Sequence, residues 1–212
     1  MIKIAITKGR IEKDVCKLLK DAGFDTKPIE NKNRELKIKT KDDIEMIFVR
    51  SSDILNFINQ GVVDLGVVGK DTLDESNFTN YDELLDLKTG RCYFALAGLP
   101  ELKNNNFSNK KKIATKYPKT ATKYFNMKNE DVEIINMGGS VELAPIVGIS
   151  DAIVDIVETG DTLKANGLVI LDKISDVSTR LIVNKDSKVN KNDEISKLVQ
   201  KLNKQINLRE KR

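Results

Sequence analysis

Apolar residues recur along this chain in two rhythms, and the way the rhythms alternate predicts an architecture. Residues 2–6 are largely β-branched and apolar, as in a buried strand, and Lys8-Gly9-Arg10 follows as a turn. Ile11, Val15, Leu18 and Leu19 then recur at helical spacing, and Gly23 closes that segment. Glu35–Thr40 and Ile44–Val49 predict a hairpin turned by Lys41-Asp42-Asp43. Ser51 or Ser52 is placed to cap a helix carrying Ile54, Leu55 and Ile58, with Gly61 just beyond its end. Val62–Gly69 is apolar apart from Asp64 and reads as a strand, and Lys70–Glu75 begins a short helix.

The pattern changes near Leu84–Thr89. Strands are then predicted at Cys92–Leu99, Lys112–Tyr117, Val132–Met137, Ala152–Val157, Leu168–Ile174 and Thr179–Val183. Between them lie helical stretches at 119–128, Val141–Val147 and Thr162–Asn166. Ile195, Leu198, Val199, Leu202 and Ile206 give the tail, about 191–208, an amphipathic helix that packs back on the body. Strands alternating with helices predict an α/β fold whose sheets are mixed but mainly parallel, with flanking helices and ligands at the strand C-terminal ends. Two such patterns, before and after about residue 90, predict two lobes with a cleft between them. The Asn- and Lys-rich stretch Lys103–Lys112 reads as mobile.

Composition narrows the chemistry. The chain has 212 residues, no histidine and two widely spaced cysteines, Cys16 and Cys92. Zinc sites built from Cys and His are excluded, as are mechanisms that need a histidine base, and no metal-ligating set is predicted. The net charge of +4 comes from scattered lysines rather than a basic stripe, so no nucleic-acid partner is expected. No apolar run approaches the roughly 20 residues of a membrane span, and the N-terminus turns polar too soon for a signal peptide. A cytoplasmic protein without a membrane partner is expected.

The strongest chemical signal is Asp151–Leu163. An apolar strand delivers Asp155 toward its C-terminal end, and a tight turn sets Glu158, Thr159, Gly160, Asp161 and Thr162 at the start of a helix. Backbone N–H groups and threonine hydroxyls in such a turn suit a phosphate, and a carboxylate at the strand end suits ribose hydroxyls. A Thr-Gly turn that only caps a helix explains the same residues. Lys8, Arg10 and Arg50 stand at comparable strand ends, either to neutralise phosphates or as plain surface cations. Gly61–Thr72 is not a P-loop, which needs Gly where Asp64 stands and Ser or Thr where Asp71 stands, nor a dinucleotide fingerprint.

Together these segments closely resemble the ATP phosphoribosyltransferase family in its short form. The family signature reads here as Glu142, Gly148, Ser150, Asp155, Thr159, Gly160, Thr162 and Leu163. Lys8-Gly9-Arg10, Arg50–Ile54, Asp64–Gly69 and Ala114-Thr115-Lys116-Tyr117-Pro118 also match segments typical of the family. The resemblance implies two lobes like those of type II periplasmic binding proteins, with the chain crossing twice between them. Residues 1–89 and 176–212 would form the first lobe and residues 90–175 the second.

It further implies transfer of a phosphoribosyl group from 5-phosphoribosyl 1-pyrophosphate to N1 of ATP, the first step of histidine biosynthesis. Magnesium would be carried mainly by the pyrophosphate. Asp155, Glu158, Thr159, Gly160, Asp161 and Thr162, with Glu142, would hold the sugar phosphate. Lys8, Arg10 and Arg50 would act on the nucleotide or the pyrophosphate. Thr115 and Tyr117, at a strand end across the cleft, would help place the adenine or a phosphate. Short members usually work with a regulatory subunit resembling the catalytic domain of histidyl-tRNA synthetase, so the resemblance implies a hetero-oligomer, commonly an octamer. The rival readings are a two-lobed solute-binding protein and a phosphoribosyltransferase with a purine base or orotate as acceptor.

Overall fold

The computed structural model describes residues 1–104 and 110–211, so residues 105–109, the centre of the stretch read as mobile, lie outside it. In chain order the elements begin β1 (Ile2–Thr7), α1 (Arg10–Asp21), α2 (Lys27–Glu30), β2 (Lys37–Lys39), β3 (Ile44–Val49), α3 (Ser51–Asn59), β4 (Leu65–Gly69), α4 (Lys70–Asp74) and β5 (Tyr81–Asp86). They continue with β6 (Cys92–Gly98), a 3-10 turn over Pro100–Asn104, β7 (Lys111–Thr115), α5 (Pro118–Met127), β8 (Val132–Asn136), α6 (Leu143–Ile146), β9 (Ala152–Val157), α7 (Asp161–Ala165) and β10 (Val169–Val177). The last are β11 (Thr179–Asn184), α8 (Lys185–Asn190) and α9 (Asn192–Glu210). Met1–Gly90 and Ser178–Arg212 make one compact unit, and Arg91–Val177 a second. Among the described residues no helix is long and apolar enough to cross a membrane.

The first unit is built on a six-stranded sheet in the order β2-β3-β1-β4-β11-β5. β1 pairs in parallel with β3 and β4, while β2 and β11 run antiparallel to their neighbours. Alternation along the strands divides the core into two layers. Ile4, Ile6, Met46 and Phe48 face Leu18 and Leu19 of α1 and Leu198, Leu202 and Ile206 of α9. Ala5, Val68 and Ile182 face Ile54, Leu55 and Ile58 of α3. Gly66 permits that second contact, because a Cβ there would stand 2.8 Å from Ile54 Cγ2. Asp64, the polar residue in an apolar run, is buried and held by the Lys3 N–H, Ser187 and Lys191.

The second unit has a five-stranded sheet, β10-β6-β9-β7-β8. β7 is parallel to β8 and β9, and β6 is antiparallel to both β9 and β10. One face packs Phe94, Ile113 and Val154 against Ala121, Tyr124 and Phe125 of α5. The other face is lined with the small residues Ala95, Ala97 and Ala114, over which Val141, Ala144, Leu163 and Leu168 close.

Several local expectations are corrected. Neither Ser51 nor Ser52 caps α3; Arg50 occupies that position without a side-chain cap. Ser51 instead lies inside the helix, and its hydroxyl meets Thr72 Oγ1 at 3.0 Å. The strand β5 and the single turn α2 were not predicted. The amphipathic tail helix expected at about 191–208 is found as α9, while the short α8 before it, capped by Asn184 through the Asp186 and Ser187 N–H groups, was not predicted.

Candidate functional site

In the second unit the sheet turns Asp155 toward the face shared with α6 and α7, because Ile153 and Val157, two residues to either side, are buried there. Asp155 Oδ1 accepts the Ile156 N–H at 2.8 Å. Burial pushes the Asp155 carboxyl up to about 6, and the Glu142 carboxylate adds to the rise; the Ile156 N–H and the Lys116 ammonium work against it. Glu142 stands at the N-terminal boundary of α6 and is half-buried. Asp155, Glu142 and Lys116 therefore form one electrostatic group.

The turn after β9 is held in shape by its own side chains. Thr159 Oγ1 donates to Asp161 Oδ2 at 2.8 Å and accepts the Asp161 N–H at 3.3 Å. Gly160 adopts φ 85°, a left-handed state that glycine enters without strain, and it starts α7. A Cβ at Gly160 would find only Val157 Cγ1, at 3.8 Å, so the demand for glycine comes from φ and not from crowding. Glu158, Thr159, Asp161 and Thr162 are exposed. The first N–H groups of a helix have no intrahelical partner, so this turn can receive an anion while Asp155 and Glu142 receive hydroxyl groups.

Thr115 is placed differently from the expectation. It is fully buried, and its hydroxyl donates to Val154 O at 2.6 Å while accepting the Tyr117 N–H at 2.9 Å. That hydroxyl joins β7 to β9 and is not presented to a ligand. The Tyr117 ring packs edge-on to Phe94, with centroids 4.9 Å apart.

In the first unit the parallel register sets Thr7 level with Val49, and the Lys8 N–H donates to Val49 O at 3.3 Å. The C-terminal ends of β1 and β3 thus bring exposed Lys8, Arg10 and Arg50 to one edge of the sheet. Three further residues at this edge, Ser51, Asp71 and Thr72, are not among the site residues expected from the sequence. β1 lies between β3 and β4, so the Ser51–Thr72 hydroxyl pair spans the end of the central strand. Asp71 fills the space where a side chain on Gly69 would go. Their signal is weak: each lies two or three residues past an apolar strand, beyond Arg50 and Lys70, which directly follow β3 and β4. Among the described residues no group of three or more Cys, Asp or Glu is gathered to hold a metal ion.

Comparison with known proteins gives a consistent picture. The family model described as ATP phosphoribosyltransferase matches residues 50–204. A protein of that name from Lactococcus lactis subsp. cremoris is 54% identical over 202 residues, covering 95% of this chain and 97% of the relative. One from Clostridium novyi is 49% identical over 209 residues, covering 97% and 98%. Among solved structures, the ATP phosphoribosyl transferase (HisG:HisZ) complex from Thermotoga maritima matches with TM-score 0.79 and 36% identity, covering 98% of this chain and 99% of that one. The periplasmic aliphatic sulphonate binding protein SsuA from Escherichia coli matches with TM-score 0.62 at 12% identity, covering 98% of this chain and 72% of that one, a likeness of fold alone.

Proposed function

Because the chain belongs to the ATP phosphoribosyltransferase family, we propose that it transfers the 5-phosphoribosyl group of 5-phosphoribosyl 1-pyrophosphate to N1 of ATP, giving phosphoribosyl-ATP and pyrophosphate. The observation that carries this reading is the pairing of a half-buried Asp155 with the left-handed Gly160 turn at the end of β9. The turn takes the 5-phosphate through the first N–H groups of α7 and the Thr162 hydroxyl. Asp155 and Glu142 accept the ribose hydroxyls, which fixes the orientation of C1.

The adenine N1 attacks C1 as the bond to pyrophosphate breaks, through a transition state with oxocarbenium character. No covalent enzyme intermediate is needed. The work left to the protein is alignment of the two substrates and neutralisation of the departing pyrophosphate. Lys8, Arg10 and Arg50 supply the positive charge for the nucleotide or the pyrophosphate. Magnesium would be carried mainly by the pyrophosphate and would spread its charge, with the Glu142 and Asp155 carboxylates accepting hydrogen bonds from its bound water.

The Thermotoga maritima relative is described in a complex of two kinds of subunit. By the same reading this chain works in the cytoplasm with a regulatory subunit resembling the catalytic domain of histidyl-tRNA synthetase, in a hetero-octamer. Calorimetric titration of the chain with 5-phosphoribosyl 1-pyrophosphate and magnesium is the direct test. Saturable binding that disappears in Gly160→Val supports the reading. Absence of binding, with or without ATP, would return the solute-binding alternative. Pyrophosphate release with adenine or orotate, but not with ATP, would assign another acceptor.

A further inference from the structure

We infer that the ion pair between Glu12 and Lys32 sets the conformation of the Lys8-Gly9-Arg10 turn, which makes both side chains positioning residues for the nucleotide end of the site. The inference rests on the role given above to Lys8 and Arg10, and takes the nucleotide, of the two partners named there, as the one they meet.

Gly9 has φ 99° and ψ −132°, a conformation almost confined to glycine, and it directly precedes α1. A flexible residue held in so sparse a state needs support from outside itself. Part of that support is Glu12, three residues on, whose Oε2 accepts the Gly9 N–H at 3.3 Å, one half of a capping box. The other oxygen, Oε1, holds Lys32 Nζ at 2.7 Å. The two side chains are 15% and 17% exposed, so the pair is far better shielded from water and salt than an ordinary surface pair.

Lys32 also reaches the sheet. Its Nζ lies 4.5 Å from the centroid of the Phe48 ring, and Phe48 is buried in β3. The next residue, Val49, accepts the Lys8 N–H. The turn is thus held from the helix side by Glu12 and from the sheet side by β3, and Lys32 touches both supports. The pair has a second consequence, through charge. Glu12 is two residues from Arg10 and four from Lys8, and an uncommitted carboxylate there would compete with phosphate for those cations. With Lys32 on one oxygen and the Gly9 N–H on the other, both carboxylate oxygens are already engaged.

The test compares Lys32→Met, Glu12→Gln and the charge-swapped pair Glu12→Lys/Lys32→Glu with the unaltered full chain. Affinities for ATP and for 5-phosphoribosyl 1-pyrophosphate are read by calorimetry, beside the melting temperature. Lys32→Met is expected to weaken ATP binding about tenfold or more while leaving the sugar pyrophosphate affinity unchanged. Glu12→Gln keeps an acceptor for the Gly9 N–H and should weaken ATP binding less. The charge swap restores an ion pair, and with it the melting temperature, but it turns an ammonium toward the Gly9 N–H, so ATP affinity stays low. Recovery of both quantities in the swap, or unchanged ATP affinity in Lys32→Met, overturns the inference. If the unaltered chain does not bind ATP, the functional reading fails by itself. Amide exchange at Gly9 then decides the inference: faster exchange in Lys32→Met supports the hold on the turn, and equal exchange overturns it.

Discussion

Lys191 Nζ lies 2.9 and 2.8 Å from the two oxygens of the Asp64 carboxylate, joining the residue before α9 to the residue before β4. The Lys3 N–H at 2.8 Å and Ser187 Oγ at 2.7 Å complete the shell around a side chain only 7% exposed. Burial alone would raise the carboxyl; the hydrogen bonds from Lys191, Lys3 and Ser187 overcome it and hold the group below the usual carboxylate range. The folded state then binds fewer protons than the unfolded chain. The stability this group contributes is present above the ordinary carboxylate range and is lost as pH falls through the lowered value. Asp64→Ala is expected to cost about 3 kcal/mol at neutral pH, since it strands a partly buried ammonium. Urea denaturation measures it, and the gap between mutant and parent should narrow in acid. An unchanged midpoint at neutral pH would remove Asp64 from this role.

Asp155 carries the opposite sign. Its folded value is raised to about 6, so in the window below that value the fold binds more protons than the unfolded chain. Stability therefore falls as pH rises through the window, and the ionised carboxylate is a cost at neutral pH. Asp155→Asn is expected to stabilise the protein by about 2 kcal/mol at pH ~8 and by little at pH ~4.5. Ribose hydroxyls donate to the ionised form, so affinity for the sugar pyrophosphate should rise with pH through the same window and be largely lost in the variant. Melting curves and calorimetry at the two pH values separate these effects. A variant that melts lower and binds as well as the parent contradicts both.

Thr115→Val tests whether that residue is a strut or a ligand. The change keeps the shape and removes the bonds to Val154 O and from the Tyr117 N–H. Two buried partners lose their match, at a cost of about 1–3 kcal/mol. Nucleotide affinity, measured well below the melting temperature, should stay the same. A large loss of affinity with unchanged stability would restore the ligand role.

These residues also mark where the sequence is legible. Asp155 and the Glu158–Thr162 turn are one strand, one turn and one helix in a row, so their juxtaposition is local and can be read from the chain. The fate of the Thr115 hydroxyl depends on the β7–β9 pairing with a residue 39 positions away. Periodicity has no access to that pairing. Lys32 lies between α2 and β2 and carries no pattern; only the fold brings it to Glu12. β5 escaped because Asp82, Glu83 and Asp86 interrupt its apolar residues. At the sheet edge those acids are satisfied by Lys188 and Arg180, which no local rule supplies. The apolar strands and the α1 and α3 helices were plain because each puts a strong periodic face into the core.

The two glycines of β4 should respond differently to the same substitution. A Cβ at Gly66 meets Ile54 Cγ2 at 2.8 Å and Ile182 at 3.1 Å, side chains locked in the core between β4 and α3. Gly66→Ala therefore overpacks the core, and is expected to cost about 1–3 kcal/mol in stability. A Cβ at Gly69 meets the carboxylate at the far end of the flexible Asp71 side chain, so Gly69→Ala should cost less stability than Gly66→Ala. Moving that carboxylate disturbs the neighbouring Thr72 and, through it, the Ser51 hydroxyl at the end of β1. If this strand end receives the nucleotide, Gly69→Ala lowers ATP affinity more than Gly66→Ala does, while moving the denaturation midpoint less. Equal effects of the two substitutions on affinity would show that the edge formed by Ser51, Asp71 and Thr72 plays no part in binding.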